Sequence, residues 1–217
     1  FHPYYPGDEY AFKYTQYDAR KANKILDGIM PKKGSDGFRV MPNGKTLDIE
    51  IGVVPAFGAW TDIAQLIVEN WAEIGVKAHV EVRERTVHFA MRPANELMAE
   101  VWNEDTTGFP FSGQPKFDPR SDPALTFAPL VAKWYATDGK QGVAPEPAIR
   151  RLVEIIDEAK TSSRNRQVAL AKELFRIWAD NVWEIGTVGL TPMIQGVLVA
   201  NKKLRNIPEV AGNDWPL

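Results

Sequence analysis

The amino-acid sequence predicts an α/β fold with a mixed central sheet flanked by helices. Three observations indicate this class: an amphipathic helix after Asp18, an Asn-Gly turn at Asn43, and a strand, a helix and a strand in succession between Leu47 and Val82. The connection between the two strands has the length that a parallel pair requires, and such crossovers are right-handed. The loop from Pro55 to Trp60 should therefore lie at the carboxyl end of the first strand.

The helix after Asp18 is predicted from its capping residue and its apolar spacing. The Asp18 carboxylate can accept a backbone N–H of the first turn. Apolar residues follow at the spacing i, i+3, i+4 and i+7, which is typical of one helical face, at Ala22, Ile25, Leu26 and Ile29. Further along, Asn43 and Gly44 tolerate the positive φ angles of a hairpin turn. We therefore expect residues 38–41 to pair in antiparallel fashion with the segment after Thr46.

The strand–helix–strand segment is predicted because the spacing of its apolar residues changes from that of a strand to that of a helix and back. Between residues 47 and 53 apolar and polar side chains alternate, as in a strand with one buried face. The next helix is expected to be capped by Thr61 and to end at Gly75, which suits a left-handed position after a helix. Its inward stripe is expected to consist of Ile63, Leu66, Ile67, Asn70, Trp71 and Ile74. Residues 78–82 then alternate as a second strand.

The remainder of the chain predicts one more strand, an irregular segment and then helices. A short helix is expected from Thr86 to Met91, broken near Pro93, and a third strand from Leu97 to Trp102. Residues 103–129 contain too many glycines and prolines for regular structure. After them, apolar spacing predicts helices over 130–135, around 149–156 and over 163–181, and strands over 185–190 and 196–200.

Composition excludes several classes of protein. The 217 residues carry a formal net charge of −2 without a basic stripe, so nucleic acid is not an expected partner. No apolar run approaches the roughly 20 residues that a transmembrane helix needs. The chain has no cysteine, which excludes disulfides and thiolate chemistry but is compatible with a reducing or an oxidising compartment.

The candidate site follows from the predicted sheet, because ligands of open α/β sheets lie outside the carboxyl ends of the strands. Two such ends carry aromatic residues, and the second also carries an amide and two carboxylates that can supply hydrogen bonds. The candidate ligand-binding residues are Phe57, Trp60, Trp102, Asn103, Glu104, Asp105 and Phe109. Packing is the alternative interpretation: Trp102 fits the core equally well, and Trp60 can simply staple the following helix.

Neither a metal nor another cofactor is expected. His2, His79 and His88 are scattered along the chain, and none has a partner at the i, i+4 spacing of a helical zinc pair.

A hydrolase is the competing functional class. Glu100, Glu104 and Asp105 could supply the two carboxylates that glycosidases use. Glu104 and Asp105 are neighbours in one loop, however, and the chain contains neither a nucleophile elbow nor a phosphate-binding glycine loop. The prediction is therefore a protein that is not an enzyme.

Several motifs, in their order and spacing, resemble a known family. The chain resembles the C-terminal lobe of the family 5 solute-binding proteins of ABC importers, the peptide, nickel and oligosaccharide receptors. The segments that carry the resemblance are Tyr17-Asp18, residues 36–39, 42–45, 73–76 and 133–142, Trp183 to Gly189, and residues 201–208. The later motifs resemble a subgroup in which some members bind oligosaccharides.

The resemblance implies a type II periplasmic binding protein-like fold and a receptor function without catalysis. Two lobes would close on an oligopeptide or a short oligosaccharide and hand it to the permease of an ABC transporter. The implied location is periplasmic or extracellular, with or without a lipid anchor on a preceding segment. Residues 1–16 are expected to lead in from an N-terminal lobe of the same parent chain, residues 17–190 to form the ligand-binding lobe, and residues 191–217 to cross back. A self-contained interaction module is the remaining alternative, which a compact structure with both termini packed would favour.

Overall fold

A computed structural model describes residues 3–56, 58–102, 110–111 and 116–187 of the chain. Within them, helices and strands follow one another in the order α1 (Asp8–Ala11), α2 (Ala19–Ile29), β1 (Asp48–Val53), α3 (Trp60–Glu73), β2 (Lys77–Val82), α4 (Arg85–Ala94), β3 (Ala99–Val101), α5 (Pro129–Ala136), α6 (Pro147–Ala159) and α7 (Arg164–Asn181).

The described strands form one sheet in the order β2-β1-β3, with both pairs parallel. Glu50 of β1 lies opposite His79 of β2, and Ile51 lies opposite Ala99 of β3. The α/β class is therefore confirmed. Antiparallel pairing accompanies the sheet as isolated bridges, one of which joins Val40 to Thr46 across the Asn-Gly turn, as the sequence predicts.

The two faces of β1 differ as its alternating pattern predicts. Ile51 and Val53 are fully buried in a cluster with Trp60 and Ala64 of α3. The opposite face carries charge, and Glu50 of that face pairs with Arg83 at 2.9 Å. The sheet is therefore covered by an apolar helix on one side and lined by ion pairs on the other.

Helix α2 is capped as predicted, since the side chain of Asp18 accepts a hydrogen bond from the Lys21 N–H. It is attached to the lobe largely through Arg39, which is fully buried. The Arg39 guanidinium donates to the carbonyl of Met30 at 2.8 Å, to Asn23 Oδ1 at 2.8 Å and to the carbonyl of Ile74 at 2.9 Å. One side chain thus joins the middle and the carboxyl end of α2 to the end of α3.

A second core lies between α6 and α7. Its fully buried members are aliphatic, and aromatic side chains pack around them. The residues with no exposed area are Leu152, Ile155, Ala159, Leu170 and Leu174. Helix α7 is capped by Ser163, as its predicted start indicates. The segment before α2 also packs on this helix, because Tyr4 is buried beside Arg164 and Lys13 pairs with Asp180.

Three local predictions are wrong. Helix α3 begins at Trp60 after an Ala59 cap that makes no side-chain bond, so Thr61 lies inside the helix. Helix α4 continues through Pro93, because the proline falls in the last turn, where one backbone bond is lost before left-handed Asn95 ends the helix. Residues 185–187 are not in a strand, and residues 188–190 of that predicted strand lie outside the described residues.

Two further differences concern exposure and extent. The inward face of α3 is rotated from the predicted stripe, so that Leu66 and Asn70 are exposed while Ala64 is buried and Val68 packs on the core. The third strand is shorter than predicted, since β3 spans three residues. The predicted strand over 196–200 lies outside the described residues.

Candidate functional site

Two tryptophans meet at the carboxyl ends of β1 and β3. Trp102 directly follows β3, and Trp60 opens α3 after the loop that leaves β1. Their ring centroids lie 4.8 Å apart with the planes inclined by 50°. Trp60 is only 7% exposed and belongs to the core, whereas Trp102 is half-buried. Trp102 is thus the tryptophan of this pair that has appreciable surface to offer a ligand.

Helix α4 adds an aromatic ring and a cation to this pair. The ring of Phe89 meets Trp102 edge to face, with centroids 5.1 Å apart. The guanidinium carbon of Arg92 lies 4.2 Å from the Phe89 centroid and 5.0 Å from the Trp102 centroid. Such contacts are attractive because the face of an aromatic ring is electron-rich. Phe89 and Arg92 come together since residues three apart share one helical face.

The carboxylate of Glu100, on β3, pairs with the Arg92 cation. Arg92 donates to Glu100 Oε2 from Nε at 3.0 Å and from Nη2 at 2.8 Å. The same oxygen lies 2.6 Å from Nε2 of His88, which is fully buried. His88 is placed to donate in the tautomer that carries its proton on Nε2. Glu100 is therefore fixed by two partners on α4, two residues before Trp102 in the chain.

The imidazole of His88 lies directly against the backbone of β1. A Cβ atom at Gly52 would stand 2.9 Å from His88 Cε1 and 3.3 Å from its Nδ1, so any other residue there would displace the imidazole. Beside it, the ion pair with Arg83 holds the pKa of Glu50 below its ordinary value, since a neighbouring cation favours the ionised carboxylate. The sheet face under α4 is thus a tightly packed polar layer.

The structure brings together part of the predicted site. Trp60 and Trp102 are in contact, with Trp60 in the packing role that the sequence left open. Phe57, Asn103, Glu104, Asp105 and Phe109 lie outside the described residues. Sequence reasoning missed Phe89 and Arg92 and considered Glu100 only as an acid. The available signal was the spacing, since Phe89 and Arg92 share a helix face and Glu100 and Trp102 stand two residues apart.

This arrangement is suited to binding. Aromatic rings held at fixed angles offer apolar area at a small entropic cost, and the carboxyl end of a parallel sheet is a common ligand location. Among the described residues, no group of three or more histidines, acids or cysteines could hold a metal ion. Glu100 is already committed to Arg92 and His88, which leaves it poorly placed as a catalytic acid. In the part of the chain that the structure describes, no helix is long and apolar enough to cross a membrane.

Comparison with known proteins gives one family and a consistent set of folds. The family model described as bacterial extracellular solute-binding proteins, family 5 Middle, matches residues 1–124, more than half of the chain. This match confirms the resemblance drawn from the sequence motifs. A search of curated proteins found no match.

Solved structures extend the likeness over most of the chain. The oligopeptide-binding protein OppA is 26% identical, with a TM-score of 0.72 over 83% of this chain and 30% of that one. The periplasmic binding protein MelB from Agrobacterium fabrum, in complex with stachyose, is 15% identical, with a TM-score of 0.64 over 78% of this chain and 25% of that one. A mannohexaose-bound protein from Thermotoga maritima is 19% identical, with a TM-score of 0.58 over 84% and 33%. The chain thus spans a third or less of each of these proteins.

Proposed function

Since this chain belongs to the family 5 bacterial extracellular solute-binding proteins, we propose that it forms one lobe of a receptor for an oligopeptide or a short oligosaccharide. The receptor would deliver this solute to the permease of an ABC transporter. Members of the family bind solutes and are not enzymes, so the prediction of a non-enzymatic chain is confirmed. The observation that carries the proposal is the half-buried Trp102, which lies at the carboxyl end of a parallel sheet in a chain of this family.

The lobe assignment rests on the extent of the similarity. A chain that aligns with 30% of OppA accounts for part of a receptor of that size. We propose that residues 17–190 form the lobe, that residues 1–16 connect it to an N-terminal lobe of the same polypeptide, and that residues 191–217 return toward that lobe. The proposed location is periplasmic or extracellular, with a lipid anchor as one means of retention at the membrane.

Within this lobe, we assign the contact with the solute to Trp102 and the segment that follows it. Trp102 would stack on a sugar ring or an apolar peptide side chain, and Phe109 and Phe57 would add apolar area. Asn103, Glu104 and Asp105 would supply hydrogen bonds, which fix the orientation of a polar ligand. Trp60 supports Trp102 from the core side, at a ring separation of 4.8 Å.

The aromatic site is compatible with two classes of solute. Tryptophan stacks on the C–H face of a sugar and on peptide side chains alike, because both contacts remove apolar area from water. The related structures include an oligopeptide-binding protein and complexes with stachyose and mannohexaose. Oligopeptides and oligosaccharides are therefore the two classes to test.

The experiment is isothermal titration of the two-lobed receptor against oligopeptides, cello-oligosaccharides and manno-oligosaccharides. We expect one class to bind. Trp102→Ala should then weaken binding about tenfold, the effect of removing one well-packed aromatic contact of about 1.4 kcal/mol. The absence of heat with every member of the panel would contradict the proposed function.

A matched control variant is Trp71→Ala. Trp71 is also half-buried and packs on the same sheet cluster, but it lies at the opposite end of α3 from Trp60. Its loss should lower the free energy of unfolding and leave the affinity unchanged. An unchanged affinity in Trp102→Ala would remove Trp102 from the site.

A further inference from the structure

We propose that Arg92 is the positioning residue that sets the orientation of the Trp102 ring, so that solute affinity depends on Arg92 through Trp102. This inference rests on the proposed function and identifies how the same site is built. Arg92 itself would not contact the solute.

The guanidinium group of Arg92 lies close to two aromatic rings. Its central carbon lies 4.2 Å from the Phe89 centroid and 5.0 Å from the Trp102 centroid, while the two rings meet at 86°. The Arg92 side chain is only 13% exposed. Because cation–π attraction strengthens when water is excluded, this position favours one arrangement of both rings.

Arg92 also directs its hydrogen bonds into the lobe. Nε and Nη2 donate to Glu100 of β3, and Nη1 donates to the carbonyl oxygen of Ala124 at 3.3 Å. Each of the three guanidinium nitrogens thus has a partner within the chain. Three of the five N–H donors are used within the chain, and with a side chain only 13% exposed such a group is suited to holding its neighbours in place.

Arg92 connects three separate segments around Trp102. It lies on α4, its carboxylate partner Glu100 precedes Trp102 by two residues, and Ala124 belongs to the segment before α5. Glu100 in turn is fixed by His88 at 2.6 Å. A tryptophan at the end of a three-residue strand has little backbone pairing of its own to restrain it, so its orientation depends on side-chain contacts, which include Trp60 on the core side and Phe89 and Arg92 on α4.

The first arm of the test needs no solute. In the two-lobed receptor labelled with 5-fluorotryptophan, the ¹⁹F resonance of Trp102 is assigned from its loss in Trp102→Phe. Arg92→Met should shift or broaden this resonance, and Arg92→Lys should restore it in part, because lysine keeps the charge but lacks the flat guanidinium. The Trp71 resonance should not move. An unchanged Trp102 resonance in Arg92→Met would overturn the proposal.

The control variant is Arg151→Met. Arg151 also pairs with a glutamate, through Nε to Glu173 at 2.7 Å, but it lies on α6 in the helical part of the chain. Its loss removes an arginine–carboxylate pair without touching Trp102. A shift of the Trp102 resonance in this variant as large as that in Arg92→Met would show a general response to a lost ion pair and would overturn the proposal.

The second arm is a double-mutant cycle, with affinity measured for whichever oligopeptide, cello-oligosaccharide or manno-oligosaccharide binds the wild type. Arg92→Met alone should weaken binding about fivefold, and in the Trp102→Ala background it should have less than about a twofold effect, as expected for coupled residues. If the two substitutions weakened binding independently, so that their effects on affinity multiplied, Arg92 would contact the solute directly, against the proposal. If no member of the panel binds, the proposed function fails, while the ¹⁹F arm still decides whether Arg92 positions Trp102.

Discussion

The carboxyl end of the sheet and the core between α6 and α7 are held together by different forces. Between the helices, Leu152, Leu170 and Leu174 have no exposed area and pack against other apolar side chains. At the sheet, Trp102 is half-buried and is restrained by a tilted ring and a cation. Close packing fixes side chains wherever they are fully enclosed. The half-buried Trp102 ring lacks that enclosure, and its contacts include the Trp60 ring and the Arg92 guanidinium, which is itself hydrogen-bonded to Glu100.

This difference separates stability from binding within one chain. Substitutions in the helical core should change the free energy of unfolding and leave the sheet end intact. Substitutions around Trp102 should change the affinity with a smaller effect on unfolding. Three substitutions test this separation.

The largest expected effect is that of Leu174→Ala. Removal of this fully buried side chain leaves a cavity, and such changes destabilise proteins by about 2–5 kcal/mol. Urea unfolding followed by circular dichroism measures the loss, and titration calorimetry should give an unchanged affinity for the bound solute. Leu66→Ala is the control, because Leu66 is 59% exposed and its loss should cost under about 1 kcal/mol. Equal effects of the two variants would contradict the helical core as the main source of stability.

An intermediate effect is expected for Gly52→Ala. The new Cβ would stand 2.9 Å from His88 Cε1, and His88 can move only by releasing Glu100. Forcing a methyl group into a packed site typically costs about 1–3 kcal/mol. The same urea titration measures this loss, and the affinity should fall as well because Glu100 holds Arg92.

The control for Gly52→Ala is a variant that should raise the free energy of unfolding. Gly28 lies in α2, and a Cβ there would meet nothing within 4 Å. Gly28→Ala should therefore stabilise the protein by up to about 1 kcal/mol through helix propensity. If Gly52→Ala were equally harmless, the polar layer under α4 would be looser than the contacts indicate.

The smallest effect is expected for Glu50→Gln and depends on pH. The hydrogen bond and charge of Arg83 lower the pKa of Glu50 in the folded protein. A lowered folded pKa adds stability above the ordinary pKa of a glutamate, and this stability is lost as the pH falls through the folded value. Near neutral pH the variant should be less stable by under about 1 kcal/mol. Urea titrations should show the difference between the two proteins shrinking below pH 4.5, the ordinary pKa of that carboxyl. A difference that grows in acid would contradict the pairing.

Local patterns predict the elements of this fold well and its long-range contacts poorly. The alternation in β1, the Asp18 cap and the glycine stop at Gly75 are properties of neighbouring residues, so they can be read from the chain. The prediction of a Thr61 cap is wrong because α3 begins one residue earlier, at Trp60, which packs in the core.

In the candidate site, too, local features could be predicted from the sequence and long-range contacts could not. The position of Trp102 at a strand end followed from periodicity and sheet geometry. Its partners Phe89 and Arg92 came from another helix, and nothing in their own segment indicates which ring they face. The burial of Arg39 and His88 is likewise set by residues distant in sequence, since charged and polar side chains are usually expected at the surface.

The buried guanidinium of Arg39 has a consequence for how the molecule opens. Helix α2 has no fully buried residue of its own, and Ile25 and Ile29 are more than half exposed. Its position on the lobe therefore depends largely on Arg39, which reaches across from the hairpin. Helices with so little burial detach as separate cooperative units well below the free energy of global unfolding. Because Arg39 bonds to both α2 and the carbonyl of Ile74, we expect the fraying of α2 and the loosening of the Ile74–Gly75 helix stop to occur together, with similar amide hydrogen-exchange protection in the two segments.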